Sequence, residues 1–112
     1  MQDARTAAAR VHSQMQSGDY SSIYKESAPR FKTVGDESTF ASQMQQFLDA
    51  SGKFVKAQEV SYTSGVDTDA GRTHTLNFIV DYQLGQGRER MIFTRSTNGT
   101  MQLRKLDVDL KE

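Results

Sequence analysis

The sequence predicts an α+β domain: three N-terminal helices packed on one face of a curved, four-stranded antiparallel sheet. Three observations predict it. Apolar residues recur at helical spacing through the first half of the chain and at a spacing of two through the second. The two patterns are segregated rather than alternating, which is the order of α+β and not of βαβ folds. Turn signals at Gly85-Gln86-Gly87 and Asn98-Gly99 separate the strand-like runs so closely that neighbours must pair antiparallel. At 112 residues, one domain spans 1–112.

The helices come first. Ala4, Ala8, Val11 and Met15 form a narrow apolar stripe at i, i+4, i+7 and i+11. Ser17-Gly18 ends that helix. Asp19 is placed to cap a short second helix, with Tyr20, Ile23 and Tyr24 on one side. Pro29 closes it, because the residue before proline avoids the helical region. Residues 30–34 are expected as a short extended piece, with Phe31 plugging the core. Asp36 or Ser38 caps a third helix whose stripe is Phe40, Met44, Phe47 and Leu48, and Gly52 stops it.

The strands follow. Residues 53–64 form the first. Val55 and Ala57 are out of phase with Val60 and Tyr62, so a bulge is expected near Gln58-Glu59. Residues 64–72 read as a polar loop. His74, Leu76, Phe78, Val80, Tyr82 and Leu84 then alternate with polar residues and Ile79, and define the inner face of the second strand. The glycines at 85 and 87 mark a hairpin. Met91 and Phe93 face inward on the third strand; Arg90, Ile92 and Thr94 face outward. The fourth strand offers Met101 and Leu103, then Leu106, Val108 and Leu110, with a phase slip at Arg104-Lys105 that implies a bulge.

Register follows from the same residues. A two-residue turn at Asn98-Gly99 would put the apolar sets of the last two strands on opposite faces. A three-residue loop, Thr97-Asn98-Gly99, pairs Arg95 with Met101 and Phe93 with Leu103, with Gly99 left-handed. The bulge then brings Met91 to Leu106, Arg90 to Asp107 and Arg88 to Asp109. Each opposite-charge pair adds about 0.2–1 kcal/mol. Leu76, Phe78, Val80, Met91, Phe93, Leu103 and Val108 are therefore expected on one face.

Composition excludes several classes of function. Fourteen basic residues balance fourteen acidic ones, which gives no electrostatic footprint for nucleic acid or an anionic membrane. No apolar run is long enough to span a bilayer, and the chain enters a helical pattern almost at once, with no leader-like segment. Mean hydropathy is −0.66, so the core is modest and much of the surface polar. The absence of cysteine excludes disulfides and thiolate chemistry. No cofactor or metal is implied: Asp67-Thr68-Asp69 lacks the further oxygen ligands of a calcium loop.

Four residues are candidates for a site. His74 lies in the inward phase near a strand start and titrates near neutrality; a second acid–base group is not evident beside it. Arg95 also falls in the inward phase, opposite Phe78 and Met101. A guanidinium there needs an anion, either a ligand at the mouth of a cone or a protein carboxylate. Tyr24 and Tyr82 can line a pocket with their hydroxyls or serve as core residues. Ile79 and Ile92 face outward and offer a contact for a weak homodimer through the open sheet face, the alternative being a monomer. Asn98-Gly99-Thr100 matches a glycosylation acceptor, although its turn role accounts for it.

The run Gly18-Asp19-Tyr20-Ser21-Ser22-Ile23-Tyr24 through Ala28-Pro29-Arg30-Phe31, with Asn98-Gly99 before a final strand, resembles the nuclear transport factor 2-like superfamily, the cystatin-like cone. It is similar in particular to small bacterial domains of that superfamily whose function is unknown. Where those domains commonly carry tryptophan at the start of the last strand, this chain has Met101. The resemblance implies a cone with a small-ligand pocket and an exported, periplasmic or lipid-anchored protein. It leaves two functional expectations. The first is a non-catalytic binding or accessory domain for a small molecule or a protein partner. The second is a small isomerase or dehydratase with His74 as base and Arg95 orienting an anionic substrate. The missing acid–base pair favours the first.

Overall fold

Four antiparallel strands pair in the order β1-β2-β3-β4, and four helical segments precede them. The structure is a computed structural model, and it describes residues 2–33, 35–67, 71–96 and 99–111. The helices are α1 (Gln2–Ser17), α2 (Tyr20–Glu26) and α4 (Glu37–Ser51), with a single helical turn, α3 (Pro29–Lys32), between the last two. The strands are β1 (Phe54–Asp67), β2 (Gly71–Tyr82), β3 (Gly85–Arg95) and β4 (Met101–Lys111). This is the expected α+β architecture, with the helices before a curved, unclosed sheet.

The helices end where the local chemistry says they should. Asp19 accepts the amide of Ser22 at 3.2 Å, and Asp36 accepts that of Thr39 at 2.8 Å, so each satisfies an orphan donor of its helix. Residues 29–32, however, are helical and not extended. Proline both ends α2 and opens α3, since its fixed φ and missing N–H suit a first helical position.

The core forms between the α1 stripe and the inner sheet face. Ala4, Ala8, Val11 and Met15 are all buried, as are Leu76, Phe78, Val80, Met91, Phe93 and Leu103. Val108 shares that face and is half-buried. Two bidentate ion pairs fix α1 in place. Arg5 donates to both oxygens of Glu59 on β1, at 2.8 Å each, and lies over the Tyr62 ring; Arg10 donates to both oxygens of Glu26 on α2. Each guanidinium holds its partner carboxyl below the usual range.

The β3–β4 register is the expected one at every position argued above. Arg95 faces Met101, Phe93 faces Leu103, Met91 faces Leu106, Arg90 faces Asp107, and Arg88 faces Asp109. The register skips Arg104, and Gly99 sits at φ 89°, in the left-handed region that glycine alone adopts freely. Thr97 and Asn98 lie outside the described residues, and so does the acceptor asparagine of the glycosylation pattern.

Three further expectations are corrected. The β2–β3 turn is Gln83-Leu84 and not the glycine pair, because Tyr82 already pairs with Gly85. Leu84 is consequently 71% exposed; its amide is tied to Ser51 O instead. Arg95 does not oppose Phe78, whose partner is Glu89; the true turn lies a few residues earlier and moves the whole pairing. The β1 bulge expected near Gln58-Glu59 is present, at Val60, with a second at Val55, and both valines project outward, half-exposed. Finally, β1 and β2 run on to Asp67 and from Gly71, so most of the expected 64–72 loop is strand. Asp69 and the Asp67 side chain lie outside what the structure describes.

Candidate functional site

An apolar recess arises where α4 stands away from the edge of β4. The α4 stripe supplies Phe40, Met44 and Phe47, the α3 turn supplies Phe31, and β4 supplies Leu106 and Val108. Together with Gly35, Thr39, Gln43, Arg104, Lys105 and Asp107 they line a cleft of about 360 Å³. Phe31 and Phe40 meet edge to face with centroids 5.2 Å apart, which makes one end rigid. The bulge matters here. Arg104, the residue that the register skips at the bulge, is among the residues that line the cleft. Lys105 lies 3.8 Å from Asp107 in the same lining.

A second groove, about 700 Å³, lies on the outer sheet face along Asn77, Ile79 and the rows Arg88–Asp109 and Arg90–Asp107. Its walls are largely charged. The α4–β4 cleft has the apolar body and few polar groups that ligand pockets show.

Behind the cleft lies a polar cluster that the sequence reading missed. Glu89 has no exposed side-chain surface, and His12 is 11% exposed. Tyr82 donates its hydroxyl to Glu89 Oε2 at 2.5 Å, and His12 Nε2 lies 2.8 Å from Oε1. The imidazole stacks on Phe54 and meets Phe78 edge-on, with centroids 4.8 Å away in both cases. Burial first, and then the Glu89 charge, push the Tyr82 hydroxyl far above its ordinary value, so it stays a neutral donor. The cluster touches the cleft through two walls: Phe47 packs edge-on against Tyr82 at 5.2 Å, and Val108 lies opposite Glu89 in register. Both carboxylate oxygens of Glu89 have a partner, which makes the cluster a fixed floor.

The four predicted site residues do not converge. His74 is buried and shares a hydrogen bond between Nδ1 and the Tyr62 hydroxyl. Its pKa is lowered, chiefly by burial and further by nearby positive charge that includes Arg72 and Arg95. Arg95 is 48% exposed and donates to Asp3 at 2.6 Å and to Gly99 O at 2.7 Å. These two sit near one end of the sheet. Tyr82 is eight residues from His74 along β2, roughly 27 Å at strand rise. Tyr24 lies on α2, where its hydroxyl donates to Gly35 O at 2.9 Å and its ring supports Phe31 and Phe40. Tyr24 and Tyr82 thus brace the cleft from behind, and His74 and Arg95 stand apart from it.

No protein-family model matches the chain, and no curated protein matches it. Among solved structures, the chain is similar to a 2.5 Å structure from Catenulispora acidiphila, with a TM-score of 0.65 and 11% sequence identity. The match covers 96% of this chain and 88% of that one. At that identity the likeness concerns the fold alone. Among the described residues, no helix is long and apolar enough to cross a membrane, and no group of three acidic or histidine side chains is placed to hold a metal ion.

Proposed function

We propose that this protein is a small, non-catalytic binding domain of the nuclear transport factor 2-like type, exported from a bacterial cell, and that its site is the α4–β4 cleft. One observation carries the reading: the cleft, about 360 Å³, is walled by four aromatic or methionine side chains and two aliphatic ones, with Arg104 and Lys105 also among its lining residues. That combination suits an elongated, mostly apolar ligand bearing an anionic group toward Arg104 and Lys105. The motif resemblance and the α+β fold support the superfamily, and the superfamily supports export.

Filling the cleft tests this. Thr39 is exposed at its mouth, so Thr39→Trp places an indole in the opening without disturbing the core. Anilinonaphthalene sulfonate, apolar with a single anion, is the probe. It binds the wild type, and the variant binds it at least about tenfold more weakly, with an unchanged melting temperature. Equal binding by both proteins, or none by the wild type, refutes the assignment.

The second reading is the isomerase or dehydratase based on His74. It is favoured by the inward placement of His74, which shares a hydrogen bond with Tyr62 near Arg95 at one end of the sheet. It requires His74 to leave Tyr62, and Arg95 to leave Asp3, for substrate.

A further inference from the structure

One wall of the α4–β4 cleft is backbone. β4 ends the sheet order, so no strand among the described residues pairs with its outer edge. The two sheet edges differ in quality. β1 carries two register shifts, at Val55 and at Val60, whereas β4 carries one, at Arg104, and pairs with β3 without interruption from Lys105 to Lys111. A regular, unbroken edge is a template for a further strand.

Peptide groups alternate between the two edges of a strand. The Leu103 carbonyl points outward, where it accepts the amide of Ala28 at 2.8 Å. With one residue taken up by the bulge, Leu106, Val108 and Leu110 direct N–H and C=O to the same outer edge. Leu106 and Val108 also line the cleft. The edge therefore runs along the recess, and the chain already seats its own Ala28 at one end.

We infer that the cleft takes an extended peptide segment of a partner protein, which adds to β4 as a fifth strand and lays alternate apolar side chains against Phe40, Met44 and Phe47. The inference rests on the cleft being the binding site and names its partner class. A helix or an acyl chain could fill the apolar part but would cover the β4 edge without pairing its donors and acceptors, which is costly. A strand satisfies both walls. Residues 104–108 cover roughly 13 Å, enough for four or five peptide residues.

The test is selection of random heptapeptides displayed on phage against the immobilised full chain. The expected sequences alternate apolar and polar residues. A synthetic copy of an enriched peptide binds, and N-methylation of its β4-facing amides weakens it at least about tenfold while leaving its side chains intact. Val108→Pro, which removes an outward N–H and spares the β3 ladder, weakens the peptide similarly. Should that variant not fold, the N-methylated peptide decides alone. Absence of enrichment, or equal binding after N-methylation, overturns the inference. So does a wild-type dimer in light scattering that the selected peptide cannot dissociate, which would assign the edge to a second copy of this chain. Anilinonaphthalene sulfonate binding to the wild type is independent of strand pairing. Its survival separates failure of the strand model from failure of the cleft itself.

Discussion

Glu89 is the residue that most constrains the interior. Its carboxylate has two protein partners, and truncating it strands both of them. Glu89→Leu is expected to cost roughly 2–5 kcal/mol, because the Tyr82 hydroxyl and His12 each lose a buried partner. Adding His12→Phe and Tyr82→Phe to Glu89→Leu removes the stranded groups, and the triple variant should recover most of that loss. Urea midpoints of the single and triple variants check this; equal destabilisation would mean the cluster is not paired. Glu89 was legible in part. It stands two residues before Met91, so the alternation that sends Met91 and Phe93 inward sends Glu89 inward as well. His12 follows Val11 on the buried stripe of α1. The pairing was not legible, because no local pattern joins residues 77 positions apart.

His74 gives a pH signature at the same scale. Its folded pKa is lowered from 6.5, so the unfolded chain takes up the proton first. The contribution of this group is fully present above 6.5 and is lost as pH falls toward the folded value. Denaturant midpoints should therefore decline through that window in the wild type and decline less in His74→Gln. Identical slopes would remove burial of the imidazole from the account. Asp3, Glu26 and Glu59, whose pKa values are held down by arginines, act in a separate window below the ordinary carboxylate values.

At the scale of elements, β3 and β4 show how far sequence reading reaches. Their register was readable in full, because apolar phase, opposite charges and one loop length all selected the same pairing. The β2–β3 turn was misread for a physical reason. Gly85 and Gly87 look like turn residues, yet Gly87 lies inside a strand because of close packing. A Cβ there would stand 2.5 Å from Asp109 O and 3.0 Å from the Tyr82 ring. Gly87→Ala is expected to cost about 1–3 kcal/mol by pushing β4 or Tyr82 aside, measured by thermal or urea unfolding. A neutral result would show that the strands can separate there freely. Taking the glycines as the turn also put Arg95 opposite Phe78, so one error about an element became an error about a site.

For the whole molecule, the architecture was legible and the cleft was not. Stripes, caps and alternation depend on residues near one another in sequence. The recess depends on how far α4 stands from β4, a tertiary distance that neither segment encodes alone. Even so, its ingredients were in view: the Phe40-Met44-Phe47 stripe, Phe31 after proline, and the phase slip at Arg104. The expectation of a weak dimer through the outer sheet face belongs at this scale too. That face presents Ile79 among rows of paired charges, and the α4–β4 cleft is the more apolar surface.

The most direct measurement is an amide-resolved NMR titration of the intact chain with anilinonaphthalene sulfonate. Shifts confined to residues 31–47 and 103–110, saturating together with one affinity, are expected. Shifts centred on His74 and Arg95, or spread over the outer face at Ile79 and Arg90, would contradict the cleft assignment.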